Sequence, residues 1–154
     1  MIVITSITIT LLLSADKDGK VPEAFRPKIS IKGYGEHKET PRVDVTGNNG
    51  RRTWSNINFT FDETKHPTHN LTFELRKDHK AWIDSTVGQV PFLYNTIRKN
   101  LKDQRYRVSI VNTSEGITCH IDFVLSHNSV TGKRRLKSHP LLANSLAPST
   151  VGAF

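Results

Sequence analysis

A chain of 154 residues with 36% hydrophobic and 23% charged side chains fits one domain that buries about two thirds of its unfolded surface, which excludes wholesale disorder. Its 22 Lys and Arg against 14 Asp and Glu leave a net charge of +8, favouring anionic partners such as phospholipid headgroups or nucleic acid. The single Cys119 excludes an internal disulfide.

The apolar start from Met1 to Leu13 has no basic segment before it and no small-residue cleavage site. It is also shorter than the roughly 20 residues a bilayer-spanning helix needs. Val3, Ile7, Ile9, Leu11 and Leu13 share one face, with Ser6, Thr8 and Thr10 on the other, which predicts a strand over 2–14. Asp16 to Gly19 breaks it, and Pro22 and Pro27 bracket a loop. The alternation of Lys28-Ile29-Ser30-Ile31-Lys32 predicts the second strand, ended by the turn residues Gly33 and Gly35.

Further strands are predicted over 42–46, 54–61, 70–76, 86–90, 105–111 and 117–125, most bounded by Gly, Asn, Pro or Asp. In 54–61, Ile57, Phe59 and Phe61 oppose Asn56, Asn58 and Thr60, as a half-buried strand requires. Leu93, Ile97 and Leu101 recur every four residues after Pro91 and predict one short helix over 92–101. Cys119 falls on an inward position of its strand, where a small apolar thiol packs well, and His120 beside it should face solvent. From 128 onward the chain turns basic, then rich in Leu, Ala, Ser and Pro, and reads as a tail.

Eight short strands without alternating helices predict an all-β protein, an eight-stranded antiparallel β-sandwich over 1–127 with one short helix, followed by a basic C-terminal tail over 128–154. Asn58-Phe59-Thr60, Asn70-Leu71-Thr72 and Asn112-Thr113-Ser114 match the glycosylation pattern, which matters only on a secretory route. The expected location is cytoplasmic and peripheral to a membrane. No Gly-rich phosphate loop, zinc spacing or nucleophile elbow is present, so a binding module is expected and not an enzyme. His66 and His69 around Pro67 read as loop residues.

Ile7 to Asp16, Arg26-Pro27-Lys28-Ile29, Thr53 to Phe61, Leu71 to Leu75 and Asp84 to Gly88 occur in an order that resembles the C2 domain. The resemblance runs from residue 2 to about 126. It implies a β-sandwich that binds phospholipid, often through calcium held by acidic residues of the first and third loops. Asp16 matches one such acid, Arg26 stands where the second would be, and Lys77 and His79 take the next two positions, with Asp78 between them. Asp84 falls near the last, and Ser85 aligns there equally well. Calcium takes 6–8 oxygen ligands, and a guanidinium or ammonium supplies none. The resemblance therefore implies weakened or absent calcium dependence, with Asp16, Asp18, Asp78 and Asp84 as the available ligands. These four also read as turn-forming aspartates.

Without calcium, the cations themselves would meet anionic lipid. The expected lipid-binding residues are Phe25 and Arg26 in the first loop, and Lys77, Lys80, Trp82 and Ile83 around the third, with Trp82 as the inserting side chain. Lys38, Arg42, Arg51 and Arg52 are expected to form a basic patch on neighbouring strands. All of this requires distant loops to meet at one pole. Two alternatives remain open: a nucleic-acid binder stacking bases on Trp54, Tyr34 and Tyr106 with the tail cluster Lys133-Arg134-Arg135-Leu136-Lys137, and a structural or protein-interaction module.

Overall fold

Runs whose alternate side chains are apolar become strands because every second side chain then reaches one buried face. The structure is a computed structural model that describes residues 1–22, 25–44, 50–66, 69–78 and 85–129. Among these residues are nine strands: β1 (Ile2–Leu13), β2 (Pro27–Gly33), β3 (Glu36–Glu39), β4 (Gly50–Trp54), β5 (Phe59–Phe61), β6 (Leu71–Lys77), β7 (Ser85–Phe92), β8 (Gln104–Asn112) and β9 (Ile117–His127). One sheet has the order β4-β1-β9-β8 with β5 also pairing β1, and the other has the order β3-β2-β6-β7. All pairings are antiparallel. This is the C2-like β-sandwich implied by the order of the sequence segments.

The core lies between the sheets. β9 contributes Ile117, Cys119, Ile121, Phe123 and Leu125, and β6 contributes Leu71, Phe73 and Leu75. Phe123 meets Phe73 at 4.6 Å and Phe92 at 5.1 Å between ring centroids. Each large apolar side chain buried there contributes on the order of 2 kcal/mol. Burial pushes the Cys119 thiol up to about 12, so it stays protonated and structural.

Four expectations are corrected. The inward face of β1 is not a single set of odd positions: Ile2 and Ile4 are buried, then Ile7, Ile9 and Leu11, because a bulge between Ile4 and Ser6 shifts the phase. Val3 is consequently not on the core face. Of the strand expected over 54–61, only Trp54, the last residue of β4, and Phe59–Phe61, which is β5, are in strands; β4 pairs with Ile7–Leu11 and β5 with Ile2–Ile4, on either side of that bulge. The strand expected over 42–46 is not formed at 42–44, and 45–49 lie outside the described residues. Instead, Thr40 and Val43 follow β2 through N–H bonds to the carbonyls of Ile29 and Pro27.

The helix expected over 92–101 is also absent. Phe92 ends β7, Tyr94–Thr96 makes a single 3-10 turn, and of the three spaced apolar residues only Ile97 is buried. Side chains of the neighbouring sheet take the backbone groups a helix would have used. Gln104 accepts from Arg98 N–H at 2.9 Å and donates to the carbonyls of Arg98 and Leu101. His127 accepts from Asn100 N–H, and Ser126 from Asp103 N–H. The extra strand β3 follows a two-residue turn, Tyr34-Gly35, with φ of 55° and 76°, a geometry that matches the sheet twist. His120 leaves the core face as expected and shares a 2.7 Å hydrogen bond with Ser109. No helix among the described residues is long and apolar enough to cross a membrane.

Candidate functional site

Register decides which loops meet. Leu13 pairs Ile117, Leu11 pairs Gly50, and Pro27 pairs Lys77, so the β1–β2 loop, the β3–β4 connection, the start of the β6–β7 loop and the β8–β9 turn all leave the sandwich at one pole. Met1, residues 62–66, residues 69–70 and residues 93–103 lie at the other. Arg26, Arg42, Lys77, Asp16 and Asp78 therefore share the first pole, although up to 52 residues separate hydrogen-bonded partners there.

Arg26 bridges two of these loops. Its backbone N–H donates to Asp78 Oδ1 at 2.9 Å and its Nε donates to Oδ2 at 3.0 Å, while Arg42 Nη1 donates to the Arg26 carbonyl at 2.9 Å. The Arg26 N–H first and then its guanidinium hold the Asp78 carboxyl below the usual carboxylate range. The Arg26 side chain is 59% exposed, so the guanidinium keeps an outward face beyond its contact with Asp78. Lys77 pairs with Glu115 of the β8–β9 turn, and its ammonium lies 5.9 Å from the ring centroid of Phe25, which packs half-buried against the core. Glu115 was not marked by the sequence; it becomes visible only when β8 and β9 are paired.

Two of the aspartates carry contacts within the protein. Asp16 Oδ1 accepts the N–H groups of Asp18 and Lys20 at 2.8 and 2.9 Å, a turn that holds its own loop. Both Asp78 oxygens accept from Arg26. Among the described residues no group of three or more His, Cys, Asp or Glu could hold a metal ion. Asp84, together with Lys80, Trp82 and Ile83, lies outside the described residues, as does the tail from 130.

The four cations expected to form one patch share a side of the sandwich but not a direction. Gly88 facing Ile110, and Asn112 Nδ2 donating to the Val87 carbonyl, set β7 and β8 on the same side of the sandwich with no ladder between them, so β3 and β4 lie at the opposite edges. Lys38 on β3 pairs with Glu36 at 3.3 Å. Arg51 pairs in register with Thr10 and so faces outward from its sheet. Arg52 pairs with buried Ile9, and its Nε donates to the Asp44 carbonyl at 2.8 Å. Of the stacking platforms, Trp54 is 8% exposed and Tyr34 2%, so neither offers a ring face to a base. Tyr106 lies against Phe92 at 4.8 Å, with its hydroxyl donating to the Thr96 carbonyl.

No family model matches the chain, and no curated protein matches it. Among solved structures, a C2 domain of plant extended synaptotagmin 1, its domain A, is 12% identical with a TM-score of 0.46, the match covering 83% of this chain and 95% of that one. A structure described as CC2D1B coordinating ESCRT-III activity during mitotic reformation of the nuclear envelope is 11% identical with a TM-score of 0.42. That match covers 85% of this chain and 58% of the other, so the chain spans a little over half of it. At these levels the likeness carries nothing about function.

Proposed function

We propose that the chain is a peripheral membrane-binding module that docks on anionic phospholipid through the pole of Arg26, Lys77 and Arg42, at a cytoplasmic membrane face and without calcium. The observation that supports it is the Arg26 bridge: a fixed guanidinium, exposed on one side, at the place where the C2 resemblance implies an acidic calcium ligand. A guanidinium binds phosphate bidentately, and each cation at an anionic surface is worth about 1 kcal/mol. Lys80, Trp82 and Ile83 follow Asp78 in the same loop and extend this surface in the proposal, with Lys38, Arg51 and Arg52 as more distant charge. The sandwich over 1–127 is the binding unit, and 128–154 a basic tail that adds attraction.

Vesicle sedimentation in chelator is expected to show binding to phosphatidylserine vesicles and little to phosphatidylcholine, unchanged when calcium is added. Arg26→Glu is expected to weaken the phosphatidylserine interaction at least about tenfold, because it removes one cation and leaves Asp78 unneutralised. Equal binding to both vesicle types would remove the proposal, and single-stranded RNA that displaces the protein from vesicles at equal charge would favour a nucleic-acid reading. Fluorescence reports on Trp82 directly, since Trp54 is buried and gives a constant background. A blue shift on adding phosphatidylserine vesicles, absent in Trp82→Phe, is the expected result; an unshifted spectrum would exclude insertion.

A further inference from the structure

The last strand of a sheet leaves every second N–H and C=O without a ladder partner, so edges are ordinarily kept short, bulged or broken by Gly and Pro. Most edges here follow that rule. β3 has four residues, β4 five and β5 three. β7 carries Gly88, Pro91 and a bulge opposite Leu75 and Arg76. β8 does not follow it: nine residues, no Gly or Pro, and an unbroken register with β9. On its far side, residues 105–111 have no backbone hydrogen bond from any described residue.

The side chains along this edge have a definite sign. Pairing with Val124, Asp122, His120 and Thr118 turns Arg105, Arg107, Ser109 and Val111 to the outer face of the sheet. Arg107 grips Asp122 at 2.8 and 3.1 Å, whereas Arg105 is exposed and has no carboxylate partner among the described residues. Together with Arg51 they line a hollow that includes Ser6 and Thr8, with Asp122 as its one carboxylate among the lining residues. Val111, further along the strand, is 62% exposed, an apolar side chain without cover among the described residues.

We propose that β8 is a docking edge for an extended, acidic peptide segment of a partner protein, which adds as a further strand beyond β8. Backbone hydrogen bonds from the alternate amides of 105–111 supply the attachment, and alternate acidic side chains of the peptide lie beside Arg105 and Arg107. Charge selects this occupant. The chain's own segment 130–154 carries Lys133, Arg134, Arg135 and Lys137, like in sign to the edge. A second copy of β8 would bring two more arginines and no carboxylate. A nucleic acid offers phosphates that accept but cannot donate back to the edge carbonyls, and no exposed aromatic lies along β8 to stack a base.

The test uses the full chain and a fluorescein-labelled, end-capped peptide of alternating Glu and Val, read by anisotropy and by amide hydrogen exchange. The expected result is binding with slowed exchange at alternate residues of 105–111, weakened about tenfold by Arg105→Glu, which turns an attraction into a repulsion. Arg105 is exposed, so that variant keeps the fold, as an unchanged thermal midpoint would report. Two N-methylated peptides, one blocked at every Glu amide and one at every Val amide, are expected to differ, because only one set of amides faces β8. Equal binding of both methylated peptides, or no binding of the parent, overturns the proposal. So does an oligonucleotide of equal charge that slows the same amides, or slowed exchange that appears in the peptide-free protein with rising concentration, which would give the edge to a second copy.

Discussion

Replacing Glu63 with glutamine is expected to lower folding stability by about 3–5 kcal/mol and the thermal midpoint by about 10 °C or more, since removing the charged member of a buried network strands its partners. Glu63 sits in a 3-10 turn after β5, capped by Asp62, which accepts from Thr64 N–H at 3.0 Å. Its side chain is 8% exposed. Oε1 accepts from His127 Nε2 at 2.5 Å and from the Met1 amino group at 2.9 Å, and Oε2 accepts from the Tyr94 hydroxyl at 2.6 Å. Because His127 Nδ1 already accepts the Asn100 N–H at 2.8 Å, the ring proton belongs on Nε2, facing the carboxylate.

The same network sets a pH dependence. Burial alone would raise the Glu63 pKa; the donors of His127, Tyr94 and Met1 outweigh it and hold the group at about 2, against an ordinary 4.5. Burial first, and then the hydrogen bond to Glu63, raise the Tyr94 phenol. A carboxyl whose folded pKa lies below its unfolded value stabilises fully above the unfolded value and loses that contribution as pH falls toward the folded one. The window is therefore pH 4.5 down to about 2, and a shift of this size is worth about 3 kcal/mol. Thermal unfolding by circular dichroism is expected to show the parent losing midpoint steeply between pH 4.5 and 2.5, with Glu63→Gln already low at pH 7 and flatter across that interval. Parallel pH curves for the two proteins would show that Glu63 contributes nothing special.

Strands whose pattern depends only on their own side chains were legible in the sequence, and those shaped by a neighbour were not. β9 alternates without interruption because it lies between β1 and β8 with one face on the core. β3 consists of Glu36, His37, Lys38 and Glu39, an edge strand with no apolar signal, formed because the Tyr34-Gly35 turn folds it back on β2. The pattern of Leu93, Ile97 and Leu101 fits a helix only while Gln104, Ser126 and His127 are left out of account. At the candidate site the loop cations could be read directly. Their partners could not: Asp78 lies 52 residues from Arg26 and Glu115 lies 38 from Lys77, and no local spacing relates them. Burial of Trp54 and Tyr34 was equally hidden, since an aromatic has the same letter whether distant neighbours cover it or not.

Gly116→Ala is the second large loss expected, about 3 kcal/mol and a fall of about 10 °C in thermal midpoint, and it bears on the pole itself. Gly116 closes the β8–β9 turn with φ of 70°, and a Cβ added there would lie 2.1 Å from the Ser14 carbonyl oxygen. The backbone of the β1–β2 loop would have to withdraw, breaking the 2.8 Å bond from Ser14 N–H to the Gly116 carbonyl. That bond pins the loop carrying Asp16 and Arg26 to the turn carrying Glu115, the partner of Lys77. Gly19→Ala separates the two causes: its φ is 79°, but nothing lies within 4 Å of the added Cβ, so backbone strain alone should cost about 1 kcal/mol. Under the membrane proposal Gly116→Ala also weakens phosphatidylserine binding at temperatures where the protein stays folded, because the withdrawn loop carries Arg26 away from Asp78, while Gly19→Ala leaves binding near that of the parent. Equal midpoints for the two variants would mean that the loop yields freely and that the pole is not held by the turn.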